Sequence, residues 1–217
     1  MEKQDIINRT ISFVKQTLEN AEGGHDWFHI ERVYRLALHI GEKEAADLFV
    51  VSLGALLHDI ADSKFHNGDE EIGPAIAREF LSQQKVSEEV ILHVVKIIEN
   101  ISFKGGNEKQ QFYSAELSVV QDADRLDAMG AIGIARTFNY GGFKNRPLYD
   151  PKVAPNLNMK KEEYKASTAP TINHFHEKLL LLKDRMNTEV GKEMALERHQ
   201  FMLEFLDRFY KEWEGRL

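Results

Sequence analysis

The chain has 217 residues, 42% of them hydrophobic and 29% charged, with a formal net charge of -7. That length and composition give one sizeable core, or a core with an appended subdomain, exclude a wholly disordered chain, and leave no diffuse basic surface for a nucleic acid polymer. Cysteine is absent, which excludes disulfides, thiolate metal sites and cysteine nucleophiles and fits a reducing compartment.

The start, Met1-Glu2-Lys3-Gln4-Asp5, is polar and mixed in charge, without the apolar core of a signal peptide. No apolar run approaches the roughly 20 residues that span a bilayer. The expectation is a cytoplasmic protein without membrane contact. Ile6, Ile7, Ile11, Val14 and Leu18 recur every three to four positions and predict an amphipathic helix over residues 3–21. Gly23-Gly24 break it, and Ile30, Val33, Leu36, Ala37 and Ile40 mark a second helix over 26–41. Residues 45–58 are almost all apolar and predict a buried helix that runs into His58-Asp59. Further helical patterns cover 70–83, 87–100, 114–139, 170–186 and 189–214. No stretch alternates long enough to predict a sheet, so the fold class is all-α. Residues 141–166, with Gly141, Gly142, Pro147, Pro151 and Pro155, read as a long loop. A mobile lid and a passive linker fit it equally.

Chemistry concentrates where polar residues interrupt apolar helices. Leu56-Leu57-His58-Asp59-Ile60 sets a histidine and an aspartate side by side at the end of a very apolar segment. Such groups are rarely buried unless paired or bound to metal. Alone, the pair reads as capping or surface. His29 falls in the first turns of the second helix, beside Ile30 and Val33. Asp122, Asp124 and Asp127 crowd an apolar stretch, where carboxylates repel one another unless cations answer them. A helix N-terminus would explain some of these acids. It explains less well why all three features interrupt apolar helices.

The ordered pattern His, His-Asp, Ala-Asp-Arg-Leu resembles the HD-domain metal-dependent phosphohydrolases. Gly24-His25-Asp26-Trp27 through Val33, Leu56 through Phe65 and Gln121 through Arg136 resemble a branch of small, stand-alone bacterial HD hydrolases. The stretch from His174 through Leu180 to Arg198-His199 and Glu212-Trp213 is similar to that branch too. The resemblance implies one HD phosphohydrolase domain over 1–217, with a catalytic core at 1–140, the loop at 141–166 and C-terminal helices at 167–217. It implies His29, His58, Asp59 and Asp124 as metal ligands. Asp124 is taken because the family's ligand follows Ala; Asp122 stays as an outer-sphere alternative.

Two imidazoles and two carboxylates suit one divalent ion: manganese first, then cobalt, nickel, iron or zinc, with magnesium fitting less well. His25 and Asp26 are near enough to orient ligands, and Asp26 reads equally as a helix N-cap. Asp62, three residues after Asp59, matches the family's acid that orients or deprotonates the attacking water, and reads equally as a helix-ending carboxylate. Lys64, Arg32, Lys104, Arg125 and Lys178 are candidate cations for a phosphate; each alone reads as a surface charge. A metal-bound water of lowered pKa then attacks phosphorus. The implied substrate is a small-molecule phosphate, a nucleotide first, with release of pyrophosphate or of a single phosphate.

Two other classes stay open: a non-catalytic, nucleotide-binding regulatory HD domain, and a di-metal HD oxygenase. His66 and His93 are the only histidines placed for a second metal, and Ile101-Ser102-Phe103 stands where di-metal relatives tend to have another histidine. That departure argues for a single metal. Gly130-Ala131-Ile132-Gly133-Ile134-Ala135 suits tight helix packing within a core and equally a homodimer.

Overall fold

The computed structural model describes residues 2–19, 26–61, 71–101, 112–157 and 167–216. Helices are the regular elements among them, with no strand, so the fold is all-α. In chain order they are α1 (Lys3–Thr17), α2 (Trp27–Lys43), α3 (Leu48–Leu57), α4 (Ile72–Gln83), α5 (Glu88–Ile101), α6 (Ala115–Asp127), α7 (Gly130–Phe143), α8 (Asn173–Glu177), a 3-10 helix (Leu179–Arg185) and α9 (Glu189–Trp213). The chain divides into two compact units, Met1–Asp124 and Arg125–Leu217, and the division falls inside α6.

In the first unit α3 is the central element, packed against α1, α2 and α5. Every residue from Phe49 to Leu57 is buried. Each large apolar side chain so buried contributes about 1.5–3 kcal/mol. The predicted start at residue 45 moves to Leu48 for a local reason. Ala45 takes φ 53°, which ends the preceding turn, and the Asp47 carboxylate accepts from Phe49 N at 2.8 Å as an N-cap. Gly54 allows close approach: a Cβ there would stand 3.2 Å from Ile97 Cδ1 on α5 and 3.5 Å from Val120 Cγ2 on α6.

The second unit corrects the reading of 114–139 as one helical stretch. α6 stops at Asp127 and α7 begins at Gly130, whose φ of 68° breaks the helical path. A side chain at Gly130 would meet Arg198 Cγ at 3.0 Å. Arg198 Nη1 donates to the Leu126 carbonyl, so a cation caps the end of α6. The Asp127 carboxylate is buried and accepts from Arg136 Nη1 at 2.5 Å. Gly133 lies against the Ala128 carbonyl, where a Cβ would be only 2.2 Å away.

The predicted loop also shortens, because α7 runs on through Gly141 to Phe143. Its described part is tied down. Thr171 N donates to Pro147 O at 2.8 Å, Ile172 N to Leu148 O at 3.0 Å, and Asn173 Nδ2 to Val153 O at 3.0 Å. Phe138, Phe175, Phe205 and Phe209 form the aromatic core of this unit, with Phe138 about 6 Å from the other three rings. Tyr149 packs edge-on against Phe209, Tyr210 and Trp213.

Candidate metal centre

Three helix ends in the first unit bring the predicted ligands together. Asp26 caps α2: its Oδ1 accepts from His29 N at 3.0 Å, which fixes His29 in the first turn. Of the two readings of Asp26, this contact is the capping one. His58 closes α3, and Asp59 follows it in the turn. Asp124 lies on α6, one residue beyond the buried Ala123.

His29 and His58 are buried, with ring centroids 5.4 Å apart in an edge-to-face arrangement. One ligand atom from each of His29, His58 and Asp59 lies within 4.8 Å of the other two. Asp124 Oδ1 is 3.6 Å from His29 Nε2 and 3.9 Å from His58 Nε2. These separations exceed a normal hydrogen bond. Two donors each about 2.1 Å from one ion, at right angles, lie about 3 Å apart and further at wider angles. The spacing therefore suits a shared ion between the groups.

The tautomer of His58 supports the same fit. Its Nδ1 is 2.8 Å from the Ala55 carbonyl, which can only accept, so Nδ1 carries a proton and Nε2 is the nitrogen left for a metal. Nε2 is buried and has no hydrogen-bond partner among the described residues. A buried ring nitrogen facing a second imidazole and two carboxylates is the arrangement of a metal ligand with its orienting acceptor. The Ala55 carbonyl is absent from the sequence reading. Its signal is positional: it sits three residues before His58 in the last turn of α3, where carbonyls lose their intrahelical donors.

The other predicted residues fall in different places. Asp122 is fully buried, whereas the Asp124 side chain is 39% exposed and reaches both histidines. Arg32 is half-buried on α2, one turn beyond His29. Gln121, one turn before Asp124, donates from Nε2 to Asn100 O at 2.8 Å and ties α6 to the end of α5. His93 belongs to another contact, with Ser114 Oγ at 2.9 Å. In the second unit, Arg125 Nη1 donates to the Arg185 carbonyl at 2.5 Å, and Lys178 is exposed at the end of α8. His25, Asp62, Lys64, His66 and Lys104 lie outside the described residues.

No helix among the described residues is long and apolar enough to cross a membrane. The HD domain family model matches residues 27–129, a span that holds His29, His58, Asp59 and Asp124. The uncharacterized protein YpgQ of Bacillus subtilis (strain 168) is 40% identical over 214 residues, covering 94% of this chain and 92% of its own length. A crystal structure of an HD-superfamily hydrolase from Bacillus thuringiensis is 45% identical with a TM-score of 0.79, covering 98% of this chain and 99% of that one. The crystal structure of B. subtilis YpgQ in complex with ADP superposes with a TM-score of 0.75 at 36% identity, over 98% of this chain and 97% of that one. The chain belongs to the HD superfamily, among its stand-alone bacterial members.

Proposed function

We propose that this chain hydrolyses a phosphoanhydride or phosphoester bond in a small molecule, a nucleotide first, at one divalent ion held by His29, His58, Asp59 and Asp124. The observation that carries this is the convergence of those groups around the bare Nε2 of His58. An ion bound there would supply Lewis acidity and a water of lowered pKa. His29 and His58 would contribute nitrogen donors, and the two carboxylates would offset the charge of a divalent ion. The partly exposed Asp124 leaves one side of the site open to solvent. The Nδ1–H bond to the Ala55 carbonyl holds the His58 ring in the ligating tautomer. Asp62 is the proposed base that orients the attacking water, and Arg32 the proposed phosphate contact from α2. Manganese is the proposed ion, and the likeness to YpgQ, solved with ADP, supports a nucleotide.

The test is phosphate and pyrophosphate release from nucleoside mono-, di- and triphosphates by metal-stripped protein given Mn, Mg, Co, Ni or Zn, with Asp59→Ala beside it. Metal-dependent release that the variant lacks is the expected result, and the product tells pyrophosphohydrolase from phosphatase. Folded wild-type protein that binds metal and ADP yet releases nothing would overturn hydrolysis and leave the regulatory reading.

A further inference from the structure

We infer that Glu116, together with His93 and Ser114, is a positioning clamp that sets the approach of His58 to Asp124 from the opposite ends of α3 and α6. The inference rests on the metal-centre reading above. Glu116 Oε1 accepts from Asp47 N at 3.0 Å, and Asp47 is the N-cap of α3. Glu116 Oε2 lies 3.4 Å from His93 Nε2 on α5. The same nitrogen is 2.9 Å from Ser114 Oγ, which accepts from Leu117 N at 3.0 Å and so caps α6. His93 Nε2 thus lies between Ser114 Oγ and Glu116 Oε2. The Glu116 and His93 side chains are 14% and 28% exposed, so that pair is less screened than a surface one, while the contact with Asp47 N lies at the surface.

The two helices thus start at one node and finish at one site. They run parallel, tethered at their N-terminal ends and meeting where His58 Nε2 stands 3.9 Å from Asp124 Oδ1. At 1.5 Å rise per residue, about 16 Å of α3 and about 12 Å of α6 separate the node from the ligands. Between them, Gly54 lets α3 lie close to Val120. Helices of this length act as struts, so loosening their common origin lets one slide or tilt against the other and alters the ligand spacing. Glu116 touches neither metal nor substrate; it acts through the helices, from a position 69 residues along the chain from its α3 partner.

The test measures Mn(II) affinity of the full-length, metal-stripped protein, from the electron paramagnetic resonance signal of free Mn(II). Glu116→Ala, Glu116→Gln and Phe13→Ala stand beside wild type. Phe13 stacks on Phe80 between α1 and α4, which carry no ligand, so Phe13→Ala controls for general loss of stability. The expected result is at least about a fivefold weaker Mn(II) affinity for Glu116→Ala. Glu116→Gln, which keeps an acceptor for Asp47 N, should stay within about twofold of wild type, and Phe13→Ala should be unchanged. Equal affinity in Glu116→Ala and wild type would overturn the clamp, as would no recovery in Glu116→Gln or an equal loss in Phe13→Ala. Wild-type protein that takes up no metal at all would overturn the metal-centre reading itself, and the clamp with it.

Discussion

Histidines occupy both units of this chain, and their surroundings divide them. In the first unit His29 and His58 face Asp59 and Asp124, and the Nε2 of His58 is left bare. In the second unit His174 sits among Arg146 and Lys178, His176 bonds and stacks against Tyr210, and burial lowers the pKa of both. The residue type is the same, but acids around an imidazole favour a bound cation, whereas cations and aromatic rings favour a neutral packing group. A histidine pattern becomes chemical only when carboxylates converge on it.

The sharpest way to break that contrast is to exchange roles by deletion. His58→Ala should abolish specific Mn(II) binding, a loss beyond the 10–100-fold typical of removing an outer partner of a ligand, while His176→Ala leaves the affinity at the wild-type value. Calorimetric titration of both variants checks this. Equal losses would mean that acid surroundings do not distinguish the two groups. Next in size is Phe175→Ala. Phe175 is completely buried and its ring lies against Phe138 and Phe205. Removing it should cost about 3–5 kcal/mol in denaturant unfolding without changing metal affinity.

The acid side of the stability curve tests the second unit more gently. Burial, then Lys178 and Arg146, push the His174 pKa down from 6.5 to about 3. The unfolded chain therefore binds a proton that the folded chain refuses between those values. Stability is unaffected above pH about 6.5 and falls as the pH drops towards about 3, by at most about 1.4 kcal/mol per pH unit for this group. His174→Gln removes that proton and should flatten the acid limb of thermal stability measured from pH 7 to pH 4. An unchanged limb would mean that His174 titrates alike in both states.

The helical fold was legible because apolar spacing reports helices directly, and α3 is apolar on all sides because it is buried on all sides. His29, His58, Asp59 and Asp124 were legible as a motif, and their convergence needed coordinates, since it depends on the directions of α2, α3 and α6. Periodicity could not reveal the break at Gly130, because its cause is a backbone angle and the side chain of Arg198, 68 residues away. The orienting role of the Ala55 carbonyl was hidden because backbone groups carry no letter. Glu116 is an acid in the first turn of α6, and its contacts with Asp47 N and His93 set it apart.

The smallest expected effect isolates the packing role of a second-unit histidine. Tyr210 has its pKa raised by burial and then by Tyr149, so its phenol stays protonated at neutral pH. Burial lowers the His176 pKa, and its Nε2 is 2.9 Å from the Tyr210 oxygen, so ring nitrogen and hydroxyl share one hydrogen bond. Tyr210→Phe keeps the ring and its stack on His176 while removing that hydrogen bond. The nitrogen is only partly buried, so water can replace the lost partner. The cost should be about 1 kcal/mol, a fall of about 2–4 °C in melting temperature for a chain of this size. Mn(II) affinity should not move. A Tyr210→Phe variant that loses metal while keeping its melting temperature would show that the second-unit histidines do more than pack, and the contrast between the two units would fail.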